Sequence, residues 1–172
     1  MKYQIIENFL PENSFLKIKN FVMDQEFPWF YRGIDTEIEG GYFSHSLFNN
    51  HKVNSNAHNV LTEEIYDIIK PTALIEVRAN LMFSSLFYNK KSRWHVDYDY
   101  GNYTAILYLN TTEGGTEIKN GDKIDFVKAE ENKMVIMKSF VEHRAILSPD
   151  TEKRYILNFN YFSETNDFSN IR

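Results

Sequence analysis

The sequence predicts a mainly β fold, a jelly roll with two helices packed on the outside of one sheet. The chain has 172 residues, enough for one domain with a full hydrophobic core. Aromatic residues, which favour strands, make up 16% of the chain. From Ala73 onward, short apolar stretches alternate with turn signals such as Asn120-Gly121 and Pro149-Asp150.

The amino-terminal part predicts one strand and two helices around a long irregular segment. The strand covers Tyr3–Ile6, and a first helix begins near Pro11 because apolar residues then recur at helical spacing. A second helix is predicted from about Val60 to Ile69, and Pro71 ends it. Arg32 to Asn56 shows no regular pattern, which predicts an excursion containing one short strand, of the kind that often forms a lid.

The remainder of the chain predicts eight short strands. Two sheets built from such strands enclose a cavity that is open at one end, which favours a jelly roll over other sandwiches. We therefore expect one domain over residues 1–172, with a helix-rich support and lid region (1–72) and a jelly-roll core (73–172). The predicted strands are Leu74–Tyr88, Arg93–Asp97, Tyr103–Leu109, Thr116–Ile118, Lys123–Val127, Met134–Met137, His143–Ile146 and Arg154–Phe162.

Composition excludes several classes of function. There are no cysteines, so disulfides and thiolate metal sites are excluded and a transition metal would need His, Asp, Glu or Tyr. The net charge of −5 disfavours a nucleic-acid partner bound through its phosphates. No secretory leader and no bilayer-spanning stretch is seen, so we expect a soluble cytoplasmic protein without a membrane partner.

His95 and Asp97 stand two residues apart in Trp94-His95-Val96-Asp97. On a strand, residues i and i+2 face the same side, so both side chains could reach one metal ion. A third ligand must come from another strand, and His143 is the candidate, 143 − 95 = 48 residues later. Two histidines and one carboxylate with open positions are typical of non-haem Fe(II) oxygenases.

The stretch from Asn80 to Phe162 resembles the Fe(II)/2-oxoglutarate-dependent dioxygenases, and among them the prolyl-4-hydroxylase-like branch with its small phage and bacterial members. This family has the double-stranded β-helix form of the jelly roll. The resemblance depends on a series of motifs in a fixed order: Leu86-Phe87-Tyr88, Trp94-His95-Val96-Asp97, Tyr103-Thr104-Ala105-Ile106-Leu107-Tyr108-Leu109-Asn110, Gly114-Gly115-Thr116-Glu117, Val141-Glu142-His143-Arg144-Ala145 and Arg154-Tyr155-Ile156-Leu157-Asn158-Phe159.

The resemblance implies Fe(II), 2-oxoglutarate as co-substrate and O₂, with ascorbate as an optional addition. It places the iron on His95, Asp97 and His143. Arg154 matches the basic residue that binds the distal carboxylate of 2-oxoglutarate, for which a guanidinium offers a two-pronged fork. Tyr108 matches a tyrosine that donates to the same carboxylate. Tyr88 matches a second such tyrosine, and aromatic core packing is the alternative for it.

By strand alternation, Asn158 and Asn160 share the face of Arg154. For both residues we weigh a place beside the cofactor or an iron-bound water against hydrogen bonding to backbone, and the role of Asn160 stays open. The substrate is expected between the 31–56 excursion and the strand around Arg78, with three further residues near the mouth: Trp94, Asp99 and Tyr100.

The predicted function is hydroxylation by an Fe(II)- and 2-oxoglutarate-dependent dioxygenase, with a prolyl residue of a peptide or protein as the substrate suggested by the branch. Collagen-type prolyl hydroxylases usually carry Lys where this chain has Arg154, which weakens the substrate assignment. One alternative is a nucleic-acid demethylase using a basic patch at Lys90-Lys91-Ser92-Arg93. Another is a non-catalytic jelly-roll binding module. A small-molecule substrate and any oligomeric state stay open.

Overall fold

A computed structural model describes residues 3–33, 41–84, 90–149 and 153–164. Within these residues the chain forms two helices and twelve strands, and neither helix is long and apolar enough to cross a membrane. In chain order they are β1 (Tyr3–Ile6), α1 (Glu12–Met23), β2 (Phe30–Arg32), β3 (Tyr42–Asn49), β4 (Lys52–Val53), α2 (Ala57–Ile69), β5 (Ala73–Phe83), β6 (Lys90–Lys91), β7 (Tyr103–Tyr108), β8 (Gly115–Asn120), β9 (Lys123–Lys128), β10 (Met134–Lys138), β11 (His143–Leu147) and β12 (Lys153–Phe162).

The strands form two antiparallel sheets. The large sheet has the order β1-β10-β7-β12-β5-β3-β2, with β4 beside β3, and the small sheet has the order β6-β11-β8-β9. From β5 to β12 the chain crosses between the sheets at every connection except the β8–β9 hairpin. This alternation is that of a jelly roll, so the predicted fold class is confirmed.

Both helices lie against the outer face of the large sheet, as the sequence predicts. Their apolar faces and the outward side chains of the central strands form one buried cluster. Helical spacing in α1 and α2 turns every third or fourth residue toward the sheet, which explains the choice of apolar positions. The cluster includes Phe15, Ile18, Val22, Leu61, Ile65, Ile69, Ala105, Leu107, Leu157 and Phe159.

A second buried cluster lies between the two sheets and changes from apolar to polar along the strands. Tyr108, Ile106 and Ile156 of the large sheet pack there with Ile118 and Val127 of the small sheet. Beyond them the inward side chains of the large sheet become polar although they stay buried: Asn80, Thr104, Asn158 and Asn160. Buried polar side chains are costly unless they have partners or a function, so this end of the sandwich contains the candidate site.

Two predictions about local structure are wrong. Arg93–Asp97 is not a strand; His95 forms an isolated bridge with His143, and the short strand before it is Lys90–Lys91. The 32–56 segment contains far more than one short strand, because the eight-residue β3 runs through it. The sequence pattern of the segment does not reveal β3, because Ser44 and His45 are polar although they are buried, with exposed fractions of 1% and 7%.

Candidate metal centre and anion site

His95, Asp97 and His143 converge on one point of the cavity between the sheets. Asp97 Oδ1 lies 3.8 Å from His95 Nε2 and 3.7 Å from His143 Nε2. One ligand atom from each residue lies within 4.8 Å of the others. The two histidines face each other because their backbones are reciprocally bonded, His95 N–H to His143 O at 3.1 Å and His143 N–H to His95 O at 2.9 Å.

The second ring nitrogen of each histidine fixes the tautomer. His95 Nδ1 lies 3.1 Å from the Arg93 carbonyl oxygen, and His143 Nδ1 lies 2.9 Å from that of Val141. A carbonyl only accepts hydrogen bonds, so each Nδ1 carries the proton and donates it. Both Nε2 lone pairs are therefore directed at the point they share with Asp97, as metal-binding imidazoles require.

The local electrostatics favour the protonation states that a metal needs. Burial lowers the pKa of His143 and outweighs the opposing effect of Asp97, so this imidazole is neutral at pH 7. Burial raises the pKa of Asp97, but at the acidic pH where a carboxyl group would take up a proton the electrostatic attraction of His143, Arg78 and His95 outweighs burial and holds the pKa below its usual range. A carboxylate beside neutral imidazole is the ligand set of a divalent transition metal.

Arg154 lines the same cavity, and no carboxylate of the described residues pairs with its charge. The residue is 3% exposed, and its Nη2 donates to Thr116 Oγ1 at 3.0 Å. Within the described part of the chain, its Nε and Nη1 have no hydrogen-bond partner. None of the ion pairs among the described residues involves Arg154. Because a buried unpaired cation is strongly unfavourable, this arrangement fits an anionic ligand.

Tyr108 contacts Arg154 through Thr116. The Tyr108 hydroxyl donates to Thr116 Oγ1 at 2.7 Å, and its ring lies 5.3 Å from Arg154 Cζ. Burial raises the pKa of Tyr108, so the hydroxyl keeps its proton at neutral pH. Thr116 Oγ1 thus accepts two hydrogen bonds, and its own proton is left to donate into the cavity. Sequence reasoning named Tyr108 but missed Thr116.

The cavity that joins the two groups is lined by both sheets. Asn158, named from the sequence, is on this wall, and its Nδ2 lies 3.5 Å from Asp97 Oδ2. The sequence names Arg78, and because alternate residues of a strand face the same side, Asn80 and Met82 could have been predicted to line the cavity with it. Tyr42 lies in the irregular segment and offers no such signal. The full lining is Tyr42, Arg78, Asn80, Met82, Ser92, His95, Asp97, Ile106, Thr116, His143, Ala145, Arg154, Ile156 and Asn158.

Other residues named from the sequence lie elsewhere. Tyr88 is outside the described residues. Asp99 is exposed and does not belong to the His-Asp-His cluster. In the predicted basic patch, Lys91 Nζ is 3.3 Å from Glu117 Oε1, and Ser92 is buried. This pairing reduces the positive charge that a phosphate backbone would meet.

A double-stranded β-helix with a His-Asp-His cluster at one end is the architecture of the Fe(II)/2-oxoglutarate oxygenases, and solved structures of that class share this fold. A prolyl hydroxylase from Trichoplax adhaerens, in complex with a hypoxia-inducible-factor oxygen degradation domain peptide, superposes with a TM-score of 0.74 at 16% identity. The match covers 95% of this chain and 84% of that one. A Pseudomonas putida prolyl-4-hydroxylase superposes at 0.58 and 16% identity, covering 94% and 93%.

A third similar structure is HygX from Streptomyces hygroscopicus, solved with nickel and 2-oxoglutarate bound. Its TM-score is 0.64 at 9% identity, covering 95% of this chain and 84% of that one. No protein-family model matches the sequence, and no curated protein matches it. The comparisons therefore establish the fold, and the case for function depends on the residues of the cavity.

Proposed function

We propose that this protein is an Fe(II)- and 2-oxoglutarate-dependent dioxygenase. The observation that carries the proposal is that one cavity contains both a His-Asp-His cluster and a buried arginine without a carboxylate partner. A metal alone would explain the cluster, and an anion alone would explain Arg154. A ligand that chelates a metal at one end and carries a carboxylate at the other explains both, and 2-oxoglutarate is such a ligand.

The residues present fit this cofactor pair. His95, Asp97 and His143 would hold Fe(II), which with 2-oxoglutarate and O₂ supplies an oxidant for an unactivated C–H bond. Arg154 would bind the distal carboxylate through Nη1, and the Thr116 hydroxyl would donate to it as well. Tyr108 fixes Thr116 and thereby the direction of that hydroxyl. Tyr88 and Asn158 are proposed to complete the co-substrate site.

The cavity is small, and part of its wall is apolar. Its volume is about 60 Å³, room on the order of a few water molecules. The wall beside the metal ligands includes Ile106 and Ile156, which would exclude water from the chain of the bound acid. We propose that residues 73–172 form this catalytic core and 1–72 its support, within one domain.

The test of the cofactor assignment is an anaerobic titration of the purified protein with Fe(II) and then 2-oxoglutarate. Chelation of iron by the 2-oxo acid should give a visible metal-to-ligand charge-transfer band, and admitting O₂ should release succinate. His143→Ala should abolish both signals. His51→Asn is the matched control, because His51 is exposed in a turn with φ of 60°, which asparagine tolerates. A wild-type protein without the band and without succinate would instead favour a non-catalytic binding module.

For the substrate we propose a prolyl residue in a peptide or protein. The proposal is supported by the prolyl-4-hydroxylase-like motifs and by the likeness to a hydroxylase solved with a peptide. Peptide libraries and host lysate incubated with wild-type protein should contain products heavier by one oxygen atom, located on proline by fragmentation. The same material incubated with His143→Ala should not. Oxidation confined to nucleobases would overturn this assignment and support the demethylase alternative.

A further inference from the structure

The second carboxylate oxygen of Asp97 belongs to a closed ring of polar side chains. Asp97 Oδ2 lies 3.1 Å from Thr104 Oγ1, which lies 2.7 Å from Asn160 Oδ1. Asn160 Nδ2 donates to Asn158 Oδ1 at 2.9 Å, and Asn158 Nδ2 lies 3.5 Å from Asp97 Oδ2. The ring therefore begins and ends on one oxygen, while the other, Oδ1, faces the two histidines.

The ring is anchored on two central strands of the large sheet. Thr104 of β7 and Asn160 of β12 are direct partners across the large sheet, and both are 0% exposed. Asp97, in contrast, lies in a segment without regular structure that is tied to the body by its backbone N–H to Ser139 O, at 3.1 Å. The side-chain ring thus connects an irregular segment to two central strands.

The hydrogen-bond donors of the ring determine which group reaches Asp97 Oδ2. Thr104, Asn160 and Asn158 each have one donor to pass to a neighbour, whereas the Asp97 carboxylate only accepts, so three hydrogen bonds run along these side chains in one sense or the other. In one sense Asn158 donates to Asp97 at 3.5 Å; with both amides rotated by 180°, Thr104 donates at 3.1 Å. In either sense one donor reaches Oδ2, so the ring restrains this oxygen whichever way the hydrogen bonds run.

We propose that Thr104 and Asn160 are positioning residues that make Asp97 a one-oxygen metal ligand. A carboxylate with both oxygens unrestrained binds a metal through one or through both. Here the ring occupies Oδ2, so only Oδ1 is presented, and more positions on the metal stay open for co-substrate and O₂. The inference rests on the proposed metal site but concerns residues to which the proposed function gives no role.

The test compares Co(II) binding, without 2-oxoglutarate or O₂, in wild type, Thr104→Val and Thr104→Ser. Valine keeps the shape of threonine and removes the hydroxyl, and we expect Co(II) affinity to fall by about ten- to a hundredfold. The visible Co(II) spectrum should also change, because a released carboxylate alters the coordination. Serine restores the hydroxyl and should recover most of the affinity and the wild-type spectrum.

Thr62→Val is the matched control. Thr62 is also buried, and its hydroxyl donates to His58 O inside α2, away from the cavity. Co(II) affinity should be unchanged in this variant. Urea unfolding confirms that each variant is folded; if Thr104→Val is not, Asn160→Ser removes the next member of the ring and should weaken Co(II) in the same way.

The outcomes separate this inference from the proposed function. A folded Thr104→Val or Asn160→Ser protein that binds Co(II) with wild-type affinity and spectrum overturns the positioning role and leaves the metal site intact. Equal weakening in Thr104→Ser and Thr104→Val also overturns it, because the hydroxyl would then not be the cause. A wild-type protein that does not bind Co(II) contradicts the metal site itself.

Discussion

At the scale of single residues, the candidate site is recognised by a buried charge, that of Arg154, whose hydrogen-bonding capacity is only partly used. Arg154 keeps a full charge at 3% exposure, with two of its nitrogens lacking partners. Burial lowers the pKa of Arg154, yet a guanidinium stays protonated at neutral pH, so the charge cannot be discarded. Folding therefore retains an unfavourable group that an anionic ligand would stabilise, a sign of a binding site rather than of a structural ion pair.

This reasoning predicts opposite effects of Arg154→Met on stability and on co-substrate binding. Replacing a buried charge by an apolar side chain of similar length should leave the ligand-free protein as stable as before or raise its unfolding free energy by about 1–4 kcal/mol. The 2-oxoglutarate concentration for half-maximal succinate release should rise at least about tenfold, since charge-assisted hydrogen bonds are lost. Urea unfolding and a 2-oxoglutarate titration measure the two effects.

Arg144→Met is the control for this prediction. Arg144 lies on β11 of the small sheet. Its Nε donates to Glu117 Oε2 at 2.6 Å, and its guanidinium lies over the Trp94 ring at 4.3 Å. Its charge is already matched, so its replacement should not stabilise the protein or change the 2-oxoglutarate requirement. Similar behaviour of the two variants would contradict the assignment of Arg154 as the anion site.

At the scale of elements, the small sheet depends on a close approach of backbones at Gly115. A Cβ at this position would lie 2.0 Å from the Val127 carbonyl oxygen of the neighbouring strand β9. The strand that begins here, β8, carries Thr116 and pairs with β11, where Ile118 is opposite His143. A displacement of β8 would therefore disturb the proposed anion site and the proposed metal ligand His143 together.

Gly115→Ala should consequently lower the unfolding free energy by about 1–3 kcal/mol or more and weaken both Co(II) and 2-oxoglutarate binding. Since the contact is with backbone, a rotamer change cannot relieve it. Gly101→Ala is the control, because a Cβ there meets nothing within 4 Å, and it should be neutral. Urea unfolding midpoints give the comparison; equal midpoints for the two variants would show that β8 and β9 separate without cost.

Prediction from sequence succeeded for elements whose partners impose a simple pattern. The predicted positions of both amphipathic helices agree with the structure to within a few residues. The same holds for strands that contact an apolar layer on at least one face, such as β7 and β12. Prediction failed where polar side chains are buried within a strand. β3 presents polar Ser44 on its buried inner face, so its sequence does not alternate as a strand should.

The metal ligands show the same limit at closer range. The HxD spacing correctly predicted that His95 and Asp97 converge. The reason given, alternation along a strand, is wrong, because the structure places both residues on an irregular segment with one bridge to His143. Their convergence is fixed by backbone bonds to residues 139 and 143 and by the ring around Thr104. Such contacts join residues distant in sequence, and no local pattern signals them.

At the scale of the whole molecule, the candidate site joins parts that are otherwise separate. Asn158 and Arg154 come from the large sheet, His143 and Thr116 from the small sheet, and His95 and Asp97 from the segment between β6 and β7. A metal ion bound here would connect that segment to the small sheet, and a dicarboxylate would extend the connection to the large sheet. Both ligands should therefore stabilise the native state of the whole chain.

Metal and co-substrate should accordingly raise the melting temperature in two separate steps. A ligand at a hundred times its dissociation constant adds about 2.7 kcal/mol, which for a chain of this size corresponds to roughly 5–10 °C. Mn(II), which avoids oxidation during heating, should give the first step, and EDTA should reverse it. Adding 2-oxoglutarate to the Mn(II)-loaded protein should give the second.

The variants assign each step to its residues. His143→Ala should lose both steps, because the dicarboxylate needs the metal as well as the arginine. Arg154→Met should keep the Mn(II) step and lose the 2-oxoglutarate step, since the three metal ligands do not include Arg154. A 2-oxoglutarate step of full size in His143→Ala would mean that the anion site binds without a metal. The two ends of the cavity would then be independent sites rather than the halves of one.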